Sequence, residues 1–146
     1  MNHQRHVIRE AIVALLAAAG TAAGTRVFDH PYDPRETFPA LTVEDDSEAQ
    51  SAMAIHSAVS GPLERNYRFV VTAEVQQSDN AARQRDQLLA DVERLLAAAS
   101  LAGVKSITPL SYQPSQHDSG QKPIRLGHQM FEAIYVTPQG DPSTAI

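Results

Sequence analysis

Ile8, Ile12, Leu15 and Ala19 recur at helical spacing while Arg5, Arg9 and Glu10 fall off that stripe, which predicts an amphipathic helix from about Gln4 to Ala19. Gly20 and Gly24 follow, and glycine ends a helix without steric cost. Arg26-Val27-Phe28 reads as a short strand, broken by Asp29-His30-Pro31-Tyr32-Asp33-Pro34, where two prolines forbid both helix and central sheet pairing. Phe38 to Val43 reads as a second strand with Leu41 and Val43 on one face; Pro39 suits its beginning, where no ladder donor is needed. That strand ends in acid, at Glu44, Asp45, Asp46 and Glu48.

Ser47 to Pro62 is small and weakly patterned and reads as a long connection. From Glu64 to Gln76 the alternation is clear: Tyr67, Phe69, Val71, Ala73 and Val75 share one face. Leu88, Val92, Leu95 and Ala99, flanked by Leu89 and Leu96, then predict a second helix, capped by Ser78 or Asp79 and ended near Gly103. Val104 to Leu110 is a fourth strand. Gln113 to Pro123 is polar and bounded by prolines; like Ser47–Pro62 it has too few large apolar side chains to offset the entropy of being fixed, and it reads as a mobile loop. In the last strand, Gly127 to Val136, Met130, Ile134 and Val136 share one parity and Phe131, Ala133 and Tyr135 the other. Both faces of that strand should therefore be covered, one by the helices and one by a neighbouring subunit, which makes Phe131, Ala133 and Tyr135 candidate interface residues. The order α-β-β-β-α-β-β predicts an α+β fold, with one mainly antiparallel or mixed sheet carrying two helices on one face. Residues 1–136 form the single domain, and 137–146, with two prolines, a flexible tail.

Composition narrows the function. The length, 146 residues, suits one domain. Hydrophobic residues are 42%, aromatics 5% and Trp absent, so the core is aliphatic and Ala-rich. Seventeen acids against twelve Lys and Arg leave a net charge of -5, which argues against a protein that grips nucleic acid by its phosphates. Without cysteine there is no disulfide, thiolate nucleophile or Cys-ligated metal. The longest apolar run, Ala11 to Ala19, is too short to span a bilayer. Preceded by Arg5 and Arg9 and followed by Thr21-Ala22-Ala23, it has the outline of a secretory signal, but the adjoining Glu10 and the helical spacing favour the amphipathic helix.

Candidate chemistry is sparse. Phosphate-binding loops, zinc-protease and nucleophile-elbow patterns and calcium loops are absent. Asp29, His30, Tyr32 and Asp33 hold acid–base groups, although a polar turn explains them. Glu44, Asp45, Asp46 and Glu48 are hard oxygen ligands without the glycine turn of a calcium site, and read as a solvated strand end or a negative patch. His3, His6, His30, His56, His117 and His128 include no i, i+4 pair, so no metal or cofactor is expected. Tyr67, Phe69, Phe131 and Tyr135 could form a stacking platform for single-stranded nucleic acid, but alternating strand positions favour core.

The order of parts carries a resemblance. The opening helix with Arg5, Ile8 and Ala11, then Thr25-Arg26-Val27-Phe28, a Pro-containing loop and Phe38-Pro39-Ala40-Leu41-Thr42-Val43, resembles the tail terminator and tail-completion proteins of long-tailed phages and prophages. The similarity continues through Tyr67–Val75 and Ala82–Ala99, covering about residues 4 to 136. It implies a non-enzymatic virion protein, assembled in the host cytoplasm. The subunit would form a homo-hexameric ring that ends tail-tube polymerisation and joins the tail to the head–tail connector proteins. DNA would pass through that ring without specific binding, and no membrane would be involved. In such a ring Glu44, Asp45, Asp46 and Glu48 would face the channel, repelling the phosphates; the alternative is a solvated outer strand end. Other readings are a head–tail neck or stopper protein, or a small secreted or cytosolic ligand-binding domain or enzyme.

Overall fold

The computed structural model describes residues 2–30, 37–52, 61–101, 103–117 and 123–146. Helix α1 (Gln4–Ala18) begins at His3, whose Nδ1 accepts from the Arg5 backbone N–H at 3.1 Å. It buries Gln4, Ile8, Ile12 and Leu16, an i, i+4 series that turns the stripe onto Leu16 and leaves Leu15 only partly buried. Helix α2 (Ala81–Ala98) buries Leu88, Leu89, Val92 and Leu96. Its N-cap is Asn80, which makes no side-chain cap bond; the expected cap residue Ser78 instead accepts from the Asn80 N–H at 3.3 Å.

Five strands, β1 (Val27–Phe28), β2 (Ala40–Ala52), β3 (Leu63–Gln76), β4 (Val104–His117) and β5 (Ile124–Thr137), make one sheet in the order β1-β2-β3-β5-β4. The β1–β2 pair is parallel and the others antiparallel, so the sheet is mixed and the α+β architecture is the expected one. Both helices pack on the face that carries Leu41, Val43, Tyr67, Phe69, Val71, Phe131, Ala133 and Tyr135. Phe69 lies opposite Phe131 in the register, their ring centres 5.5 Å apart, and Tyr67 continues the row 5.4 Å from Phe69. Each of these side chains, fully buried, contributes roughly 1.5–3 kcal/mol. The aromatic row is therefore core. At Gly127 a Cβ would stand 2.9 Å from the Arg85 and Leu89 side chains, so the absence of a side chain lets α2 cross β5 closely.

Several boundaries differ from the sequence reading. β2 does not end at Val43 but runs through the acids to Ala52, so the first part of the expected Ser47–Pro62 connection is strand; residues 53–60 lie outside the described residues. Likewise β4 continues to His117 and β5 begins at Ile124, so much of the expected Gln113–Pro123 loop is hairpin, and residues 118–122 lie outside the described residues. β4 is almost wholly exposed, and a strand wet on both faces shows no hydrophobic alternation. Thr137, the expected start of the tail, is the buried last residue of β5. The residues after it fold back: the Gln4 N–H donates to the Pro142 carbonyl and the Ile146 N–H to the Val136 carbonyl, each at 2.8 Å.

Candidate functional site

The acid run is not one patch. A register shift between Asp45 and Ser47 leaves Asp46 without a β3 partner, and this bulge changes which residues share a face. Asp45 lies opposite Phe69 and Glu48 opposite Tyr67, so both point to the helix side; without the extra residue Glu48 would point away. Glu44, opposite Val70, belongs to the open side.

On the helix side the two carboxylates meet the first two turns of α1. Arg9 Nη1 donates to Asp45 Oδ1 at 2.8 Å and Oδ2 at 2.9 Å, and the Tyr67 hydroxyl donates to Oδ1 at 2.5 Å. Glu48, its side chain 5% exposed, accepts from Arg5 through Oε2 and from the Tyr135 hydroxyl through Oε1 at 2.5 Å. Arg65 Nη1 stands 3.6 Å from the same Oε1 while its Nε donates to Thr137 Oγ1 at 2.9 Å. Burial by itself raises the Asp45 pKa, but the hydrogen bonds from Tyr67 and Arg9 and the charge of Arg9 outweigh it and hold the carboxyl below its ordinary value. Burial, then the neighbouring Asp45, push the Tyr67 phenol up. Tyr135 is likewise raised by burial, so both phenols stay protonated while Asp45 stays charged. With two guanidinium groups and two phenols donating to two carboxylates, and Arg65 adding its charge beside Glu48, the cluster bolts α1 to the sheet.

The expected interface residues Phe131, Ala133 and Tyr135 also lie on this face. Each is 1% exposed or less, in the core beneath the helices, so they are not available to a neighbouring subunit; of the two apolar parities of β5, theirs is the one the helices cover. The residues that β5 turns outward are Leu126, His128, Met130, Glu132 and Ile134, partly exposed and facing no helix.

That open face has its own polar order. His128 Nδ1 is 2.9 Å from Thr72 Oγ1 and its Nε2 2.8 Å from Ser115 Oγ, which ties β3, β5 and β4 together. Burial lowers the His128 pKa, with Glu44 acting weakly the other way, so the ring is neutral near pH 7. Arg68 Nε donates to Glu132 at 3.1 Å. Glu64 and Glu74 share the parity of Arg68 on β3, so in Glu44, Glu64, Glu74 and Glu132 against Arg68 acid outnumbers base on this face.

Of the remaining candidates, Asp29 and His30 follow β1, with the His30 ring 6.1 Å from that of Phe28, while Tyr32, Asp33 and His56 lie outside the described residues. Among the described residues no three His, Asp or Glu side chains are grouped to hold a metal ion, and no helix is long and apolar enough to cross a membrane. The split of the acids and the His128 bridge had no signal in the sequence, because both follow from strand register.

No protein-family model matches the chain, and no curated protein matches it. Among solved structures it is similar to a chain of the virion of a native gene transfer agent (GTA) particle, with a TM-score of 0.56 and 14% identity, covering 92% of this chain and 90% of that one. At that identity the likeness is one of fold.

Proposed function

We propose that this chain is a structural protein of a phage-like virion and, more narrowly, a tail terminator: a subunit of a hexameric ring that stops tail-tube growth and joins the tail to the head–tail connector. The observation that carries this reading is the fold likeness to a gene transfer agent virion chain, which extends over nearly the whole length of both chains. The sequence resemblance supports the finer role, since it spans the same helix, strand and loop order. The sheet supports it too. One face is sealed by both helices, and the other is left open and acidic.

In this reading the open face lines the channel. Asp45 and Glu48 are neutralised by arginines under α1 and Glu132 by Arg68, so the repulsion that lets DNA slide past comes from Glu44, together with Glu64 and Glu74. Partners are further copies of the chain, the tail-tube protein and the connector, with localisation in the virion tail. Particles produced from a genome lacking this chain test the role. The expected result is tubes of uncontrolled length without heads in electron micrographs, restored by supplying the chain; tails of normal length joined to heads would overturn it.

A further inference from the structure

The sheet ends in two unlike edges, β4 at one end of the strand order and β1, flanked by α1, at the other. On the β4 edge Leu110 and Tyr112 are 43% and 42% exposed, large apolar side chains open to solvent. Leu110 sits in the irregularity between Pro109 and Ser111. Tyr112 keeps the Arg85 guanidinium carbon 5.7 Å from its ring centre, and its hydroxyl reaches Asp86 only at 3.5 Å. Pro109 and Pro114 flank the pair. Without N–H groups they interrupt the ladder that an added strand would need, so this edge presents side chains rather than backbone.

The opposite edge is concave. A pocket of about 380 Å³ opens between α1 and β1, with the apolar Val13, Ala14, Val27 and Phe28 and the polar Glu10, Asp29 and His30 around it. Apolar walls with carboxylates among them match a phenol, whose ring is buried while its hydroxyl donates to an acceptor. We propose that Tyr112 seats in the α1–β1 pocket of a second copy. This rests on the ring reading above and adds the surface through which the ring closes. The projecting and receiving patches lie at opposite ends of the strand order, so the contact is head-to-tail, and a head-to-tail contact closes into a ring when its rotation does.

The chain has no cysteine, so introduced thiols report without background. Full-length Tyr112→Cys and Ala14→Cys variants, both at exposed positions, are mixed, oxidised and run on a non-reducing gel. The mixture should yield a disulfide-linked pair containing one of each, and neither variant alone should cross-link. Self-linking of Tyr112→Cys would reveal a two-fold contact and overturn the proposal. Rings that form without the mixed cross-link would overturn this contact while leaving the ring reading standing, whereas a chain that stays monomeric even on tail tubes would overturn both. Tyr112→Ala should weaken association roughly tenfold or more, as loss of a pocketed aromatic anchor does, with the melting curve unchanged.

Discussion

The two faces of the sheet share the same strands and behave differently. Toward the helices, Tyr67, Phe69, Val71, Phe131, Ala133 and Tyr135 are buried, and the charged groups at the edge of that core, Asp45, Glu48, Arg5, Arg9 and Arg65, are paired. Away from the helices, Val70, Met130 and Ile134 are interspersed with Arg68, His128 and Glu132 and stay partly solvated. Stability is concentrated on the first face. The second is held in place by its strands and is left available for a partner or a channel.

The sharpest way to break this comparison is a matched pair of truncations across the sheet. Phe69→Ala should cost about 3–5 kcal/mol, because a buried ring leaves a cavity among packed neighbours. Met130→Ala, on the open face directly opposite Val70, should cost about 1 kcal/mol or less. Urea denaturation of both variants checks the difference, and equal losses would mean that the open face is also packed. A second pair contrasts the acids. Glu48→Ala should cost about 2–4 kcal/mol by stranding Arg65 and the Tyr135 hydroxyl, while Glu44→Ala should fall within about 0.5 kcal/mol of the native chain.

Acid separates the faces more gently. His128 has its pKa lowered below 6.5 by burial, so the unfolded chain takes up a proton before the folded one does. Stability should therefore fall as pH drops from about 6.5, and His128→Gln should make that slope shallower, the remainder coming from His3, whose pKa burial and Arg5 also lower. Burial of Asp45 is outweighed by the bonds from Tyr67 and Arg9, and its folded-state pKa is depressed. The stability it adds is complete above the unfolded carboxylate value of about 3.9 and is lost as pH falls through the folded one. Melting temperatures across pH should show two steps, the lower one reduced in Asp45→Asn.

The fold was legible where one face of an element is buried. Tyr67 to Val75 alternates because every second residue meets a helix, and Ile8, Ile12, Leu88 and Val92 repeat because they meet the sheet. Legibility ended where strands run past the helices: Ala49 to Ala52 and Gln113 to His117 have no core to bury and hence no pattern. For β5 the trouble was the opposite, since both parities are apolar and composition does not say which one the helices cover. The acid run misled because a bulge, invisible in residue types, sends Asp45 and Glu48 to one face and Glu44 to the other.

The central claim is a ring that caps a tail tube, and it is tested most directly by negative-stain images of tail tubes mixed with the purified full-length chain. The account predicts six-fold rings seated on one end of each tube and no further elongation from that end; bare tube ends that keep growing, beside a chain that stays monomeric, would contradict it.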